Sequence, residues 1–261
     1  MKIFHVDVFS NVLFKGNPAA VCILSAWLPD KVMQQVTREN ALADTAFLVA
    51  GNDRYYIRWF SPKTELDLCG HATLASAHVL FSHMNHPGDL VTFESRKGPV
   101  QVLKTNNHYL QLDLPAQQTL PAKISAKIIN GLGQSPVEVV QGEDLIAIFE
   151  SESDIINLKP DFTMLGRISM RGICATAPGD NSDFVCRFFA PRLGINEDSV
   201  TGSLYCELTP YWANRLKRTV LSAVQLSERG GELVCELRDD RVLINGRAIT
   251  YMIGEIPGID S

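Results

Sequence analysis

A motif that occurs twice constrains this chain more than any other feature. Arg58-Trp59-Phe60-Ser61-Pro62 is followed by Glu65 and then by Cys69-Gly70-His71-Ala72. Arg187-Phe188-Phe189-Ala190-Pro191 is followed by Glu197-Asp198 and then by Thr201-Gly202-Ser203-Leu204. The two Arg residues lie 129 positions apart and the two Gly residues 132. Each half therefore holds a strand–loop–glycine–helix unit, which predicts two similar domains facing one another. Helix N-termini carry unpaired N–H groups and the positive end of the dipole, so a cleft lined by two of them suits a carboxylate ligand.

A length of 261 residues accommodates one large or two small domains, and the repeat selects two. Pro115-Ala116-Gln117-Gln118, polar and Pro-bounded, is the best boundary. The domains are then 1–115 and 116–261, with the last residues free to return to the first. Hydrophobic residues at 46% and charged residues at 20% place the chain among globular proteins, and exclude a disordered or coiled-coil one. A net charge of −5 gives no electrostatic footprint for nucleic acid or an anionic membrane. The N-terminus lacks the apolar core of a signal peptide, and no apolar run is long enough to span a bilayer. Six scattered cysteines without a CxxC pair read as reduced thiols of a cytoplasmic protein, most of them small core residues.

The pattern is α+β, strand-rich with few helices. Strands are expected near Ile3–Phe9, Ala19–Leu24, Phe47–Val49, Tyr55–Phe60, Leu90–Ser95, Val100–Lys104 and His108–Leu112. A helix starts at Pro29-Asp30, and a small-residue helix runs from about Ala72 to His83. The second half carries helical patterns at Ala122–Leu132 and Asp161–Ile168. Its second small-residue helix starts after Thr201-Gly202. Strands are expected at Val137–Gln141, Ile146–Phe149, Asp183–Phe189, Ser222–Ser227, Glu232–Leu237 and Arg241–Ile244.

Candidate chemistry gathers at the two glycine turns. His71, at a helix start, is expected to stay neutral and able to move a proton near pH 7. Cys69, just before that helix, is expected to have a stabilised thiolate; a small buried residue closing the turn is the plainer alternative. In Glu197–Ser203 the acidic residues can cap a helix, or the hydroxyls and N–H groups can hold an anionic substrate. Asp44, flanked by small apolar residues between a helix and a strand, is expected to have a raised pKa, as a general acid/base needs. The candidates for substrate binding are Cys69, Gly70, Thr201, Gly202 and Ser203. Metal-ligand spacing, a P-loop, a dinucleotide fingerprint and a Gly-x-Ser-x-Gly elbow are all missing from the sequence. Acid/base work by ordinary side chains, in a cleft between the halves, is what remains.

These residues resemble the PhzF-like isomerase family of phenazine biosynthesis, which shares the diaminopimelate-epimerase fold. The first half matches at Asp7-Val8-Phe9, Gly16-Asn17-Pro18-Ala19-Ala20-Val21, Thr45-Ala46-Phe47, Arg58–Pro62 and Cys69–Ala75. The second half matches at Phe189-Ala190-Pro191, Gly194–Ser203, Pro210-Tyr211-Trp212 and Gln225–Gly231. The stretch from about 115 to 180 carries few family marks. The resemblance implies two pseudo-symmetric domains, each a curled mixed sheet around a central helix, with the active site in the cleft between them. It also implies cofactor-independent proton transfer on a small carboxylate-bearing substrate, commonly in a homodimer. In the phenazine enzyme that substrate is trans-2,3-dihydro-3-hydroxyanthranilate. By position, the resemblance makes His71 and Asp198 the assisting pair, with Gly70, Gly202 and Ser203 binding substrate.

The departure lies at the centre, where Asp44 stands in place of the family's acid/base Glu. Aspartate is one methylene shorter, which sets its carboxylate back by about 1–1.5 Å, and a misplacement of about 1 Å can cost on the order of 10²-fold in rate. Asp44 therefore serves a differently placed substrate or marks a member without the parent activity. Two alternatives stay open. One is a two-thiol amino-acid racemase using Cys69, for which Thr201 is the wrong second residue; the other is a cleft that binds ligand without catalysis.

Overall fold

The computed structural model describes residues 1–259. Contacts divide the chain into two units: Met1–Asp113 together with the chain from Ile244 on, and Leu114–Leu243. The described residues after Ile244 thus pack with the N-terminal unit.

In the first unit, β1 (Lys2–Val8) runs antiparallel to β2 (Asn17–Leu24), with Ile3 opposite Cys22. The link between them needs Gly16, whose φ is +70° and whose Cβ would lie 2.0 Å from the Val8 carbonyl oxygen. Helix α1 (Asp30–Asn40) then crosses over to β3 (Asp44–Ala50), which is parallel to β2. β4 (Tyr55–Phe60) pairs antiparallel with β3 and with the two-residue β5 (Glu65–Leu66). Helix α2 (Gly70–His83) follows, then β6 (Leu90–Ser95), β7 (Gly98–Lys104) and β8 (Leu110–Pro115). β6 is parallel to β4 and antiparallel to β7.

Helix α2 is buried around its whole circumference from His71 to Ala77, and it packs against β1, β2, β3 and β7. A helix so enclosed has no polar face to offer, and its sequence meets this with small residues and locally satisfied hydroxyls. Thr73 and Ser76 each donate to the carbonyl four residues back, at 2.7 Å.

The second unit repeats the plan. After β9 (Leu120–Pro121) and α3 (Ala126–Leu132), β10 (Glu138–Gln141) runs antiparallel to β11 (Leu145–Ile148). Short helices α4 (Glu152–Asn157) and α5 (Phe162–Leu165) cross over to β12 (Ile173–Pro178), parallel to β11. β13 (Phe184–Ala190) pairs antiparallel with β12 and β14 (Ile195–Asp198), as β4 does with β3 and β5. A 3₁₀ turn, Gly202–Leu204, leads into α6 (Tyr205–Leu216). β15 (Val220–Gln225) returns parallel to β13, antiparallel to β16 (Gly231–Arg238); β17 (Arg241–Gly246) follows. β18 (Ala248–Glu255) then joins the first unit by pairing with β1.

Two features of α6 are dictated by composition. Pro210 inside the helix supplies no N–H for the carbonyl of Cys206, and the N–H of Gln117 fills that place at 2.9 Å. Trp212 is fully buried, stacks on Phe184 and donates from Nε1 to Thr176 Oγ1 at 3.1 Å. No helix among the described residues is long and apolar enough to cross a membrane.

The repeat is exact where the scaffold is braced. Arg58 grips Glu65 through two nitrogens at 2.7 and 2.8 Å, and Arg187 grips Glu197 in the same way at 2.8 and 2.9 Å. Each guanidinium lies 5.2 Å from the ring two residues on, Phe60 or Phe189. These forks tie β4 to β5 and β13 to β14, the strands that lead into the two glycine turns.

Candidate active site

The first turn gathers three of the predicted residues. Asp44 opens β3 and Cys69 is the N-cap of α2, one residue before Gly70 and two before His71. The Cys69 thiol donates to Asp44 Oδ2 at 3.2 Å and lies 3.5 Å from His71 Nδ1. His71 Nε2 stands 3.6 Å from the same carboxylate oxygen. That exceeds hydrogen-bond length, and Nε2 is a buried atom without a partner of its own.

Burial, rather than the start of the helix, is what pushes the His71 pKa down from 6.5 to about 4. The ring is therefore neutral near pH 7, with one nitrogen protonated and one bare. If Nδ1–H faces the Cys69 sulfur, the bare Nε2 faces Asp44; in the other tautomer Nε2–H points toward the carboxylate. Either way a carboxylate and a neutral imidazole share one small space, as stepwise proton movement requires.

The Cys69 thiol faces a carboxylate. The sulfur gives its hydrogen to a carboxylate, and a negative carboxylate beside it opposes a second negative charge. The two-thiol alternative loses ground for the same reason. Thr201 occupies the matching place, and the nearby Cys206 is pushed up to about 12 by burial. All six cysteines are free and buried.

Asp44, Cys69 and His71 each bring a ligand atom within 4.8 Å of the others, so this cluster could hold a metal ion of the kind that accepts sulfur and nitrogen. Sequence spacing gave no sign of it, because Asp44 lies 25 residues from Cys69.

The second turn is built differently from its expected form. Gly202 and Ser203 stand on a 3₁₀ turn and α6 begins only at Tyr205, so the site residues do not occupy the first turn of an α-helix. Thr201 Oγ1 donates to Asp198 Oδ2 at 2.6 Å. Gln225, wholly buried, locks the turn from below: its Oε1 accepts from the Thr201 N–H at 3.0 Å, and its Nε2 donates to the Asp198 carbonyl at 2.9 Å. Asp198, Thr201, Gly202 and Ser203 are thus one cluster in the second unit, as Asp44, Cys69, Gly70 and His71 are in the first.

Sequence reasoning missed the residues beneath Ser203. Arg171 Nη1 donates to Ser203 Oγ at 2.9 Å, while its Nε donates to Asp144 at 3.0 Å and its Nη2 to the other oxygen of the same carboxylate. Glu207 accepts from the backbone N–H groups of Glu143 at 2.6 Å and Asp144 at 3.2 Å. Burial pushes the Glu207 pKa up to about 7. An open depression of about 270 Å³ in this unit, near Lys123, Lys127 and Arg167, contains none of the predicted site residues.

Comparison with known proteins agrees across the whole chain. Residues 6–254 match the profile of the PhzC-PhzF family, described as phenazine biosynthesis-like protein. An uncharacterized isomerase of Pseudomonas aeruginosa is 46% identical over 255 residues, covering 97% of each chain. The crystal structure of a PhzF-family phenazine biosynthesis protein from Enterococcus faecalis superposes with a TM-score of 0.95 at 43% identity, over 98% of both chains. A hydroxyproline epimerase from Agrobacterium vitis shares the fold alone, with a TM-score of 0.61 at 12% identity over 98% of this chain and 90% of that one.

Proposed function

The chain belongs to the phenazine biosynthesis-like PhzC-PhzF family and is an isomerase, and on that premise we propose that it moves a proton within a small carboxylate-bearing substrate. The substrate is amino-acid-like or a cyclic dienyl acid. Asp44 takes the proton from one carbon and returns it to another, and neutral His71 shares it with Asp44 during the transfer. Cys69 orients the carboxylate. The Gly70 N–H group at the start of α2, where no side chain caps the helix, and the Gly202–Ser203 turn hold the substrate's anionic group. Asp198 assists from the second unit, where it fixes the Thr201 hydroxyl. The proposal needs no cofactor, and includes a cytoplasmic homodimer.

The observation that carries this reading is the Asp44–Cys69–His71 cluster. The carboxylate is held by a thiol at 3.2 Å, and an imidazole that burial keeps neutral stands 3.6 Å away. Asp44 in place of glutamate fits the same reading with a substrate set deeper, since the shorter side chain reaches less far.

The test is isomerisation in D₂O, followed by NMR, of a panel of cyclic and acyclic unsaturated amino acids that includes trans-2,3-dihydro-3-hydroxyanthranilate. A new isomer carrying deuterium with the wild type, absent with Asp44→Ala, is the expected result. Turnover that survives in Asp44→Ala contradicts the assignment of Asp44 and shifts the proton to Cys69 or His71.

A further inference from the structure

The second unit contains a charged network that the isomerase chemistry does not by itself require, and it ends on Ser203. Asp144 immediately precedes β11 and Arg171 lies just before β12; these strands are parallel neighbours, with Leu145 opposite Ile173. Asp144 is completely buried, and its carboxylate takes two nitrogens of the Arg171 fork. Glu143 Oε1 lies 3.1 Å from Arg171 Nε, and the Phe188 ring centre is 5.7 Å from the guanidinium carbon. Nη1 is left to point at Ser203 Oγ.

The anchor is itself anchored. Glu207, on the helix that continues the Gly202–Leu204 turn, holds the backbone of Glu143 and Asp144. Gly142 makes room for it, since a Cβ there would lie 2.0 Å from Glu207 Oε1. The contacts therefore close a ring from the turn through α6, Glu207, Asp144 and Arg171 back to Ser203. Burying the carboxylates of Asp144 and Glu207 is costly, and apolar packing would serve stability as well or better. An arrangement of this cost at the end of which one hydroxyl is aimed points to positioning.

The chemistry of the pair sets the direction of that hydroxyl. A guanidinium has only donors, so Ser203 Oγ must accept from Arg171. The single hydrogen of Ser203 is then directed to another acceptor, and a carboxylate, which accepts only, is its match. We propose that Arg171 is a positioning residue that fixes Ser203 as a hydrogen-bond donor to the carboxylate of the substrate. This rests on the reading of the Gly202–Ser203 turn as a substrate-binding element.

Two measurements test it. The first needs no substrate: Ser203→Cys is introduced alone and together with Arg171→Gln/Asp144→Asn, a pair that removes both charges so that the buried Asp144 carboxylate is not stranded. Alkylation rates against pH then give the pKa of the introduced thiol, with the six buried native thiols as slow background. A donor guanidinium at Nη1 stabilises the thiolate, so the thiol with Arg171 present should titrate about one unit lower, about tenfold more thiolate at a given pH. Equal pKa values overturn the proposal.

The second measurement uses trans-2,3-dihydro-3-hydroxyanthranilate. Ser203→Ala and Arg171→Gln/Asp144→Asn should each raise KM about tenfold or more while lowering kcat less than about threefold, and the three changes together should cost no more than Ser203→Ala. Arg171→Lys should not restore KM, because one ammonium cannot reach both Asp144 and Ser203. Loss of kcat and KM together with a lowered melting temperature, or full rescue by lysine, overturns the positioning role. If the wild type leaves this compound unchanged, the isomerase reading loses that substrate while the thiol titration still decides the role of Arg171.

Discussion

The two units place opposite chemistry on matching positions. Phe47 of β3 lies opposite Arg58, and Ala175 of β12 lies opposite Arg187, which aligns Asp44 with Gly172 and Ala43 with Arg171. The glycine turns align His71 with Ser203. Where the first unit has a carboxylate and a neutral imidazole, the second has a guanidinium, one residue earlier, and a hydroxyl. The braces beneath are alike in both: Arg58–Glu65 and Arg187–Glu197 differ by no more than 0.1 Å in their paired contacts. Even the third nitrogen follows the plan, since Arg58 Nη1 reaches Asp30 at the start of α1 while Arg187 Nη1 reaches the carbonyls of Ile155 and Leu158 near the end of α4. The lesson is a division of labour on a duplicated frame. Groups that hold the frame are alike in both units, and in the function proposed above the groups that meet the substrate are a proton carrier in one copy and an anion holder in the other.

The strongest way to sharpen this contrast is His71→Asn, which keeps the polarity and removes the mobile proton. It should lower kcat about 10²–10³-fold without changing the melting temperature by more than a few degrees, as steady-state kinetics and calorimetry would show. A kcat within threefold of wild type would remove the imidazole from the proton path.

Acid provides the next test. His71 has its pKa depressed to about 4 in the folded protein against 6.5 unfolded, and burial does the same to His78. The stability these neutral rings contribute is complete above pH 6.5 and is lost as pH falls toward 4, about 2–3 kcal/mol for a buried ring. Urea midpoints between pH 7 and 4 should fall less steeply in His71→Asn than in the wild type. Identical slopes would show that His71 protonates as easily folded as unfolded.

Frame symmetry is open to attack through its braces. Arg58→Met and Arg187→Met each break a half-buried fork and should cost about 2 kcal/mol in urea denaturation, with the two values close to one another. A brace that costs nothing in one unit and several kcal/mol in the other would break the equivalence. The smallest effect is expected for Thr201→Val, which removes the bond to Asp198 and should cost about 1 kcal/mol of stability.

The frame was legible in the sequence because its signals are local. Arg-aromatic-Phe-small-Pro with a nearby Glu encodes a strand, a turn and the fork that joins them. Elements that depend on distant partners were not. Ile173–Pro178 is a run of small residues that becomes strand β12 only between β11 and β13. β18, at Ala248–Glu255, has exposed Tyr251 and Ile253 that disguise its pattern, and its partner is β1 at the other end of the chain. Of the site, Asp44, Cys69 and His71 could be named but not joined, and the direction of the thiol proton follows from a carboxylate 25 residues away. Arg171 gave no signal at all. Its neighbours Met170 and Gly172 form no motif, and its meaning comes from Asp144 and Ser203, 27 and 32 residues distant.

The division of labour itself is tested most directly by one side-by-side kinetic measurement, the D₂O isomerisation assay on a single substrate with Asp44→Asn and Ser203→Ala. Asp44→Asn should abolish kcat, by about 10³-fold or more, with binding of the substrate retained. Ser203→Ala should instead raise KM about tenfold and leave most of kcat. The reverse pattern, or equal loss of kcat in both, would contradict a proton carrier in the first unit and an anion holder in the second.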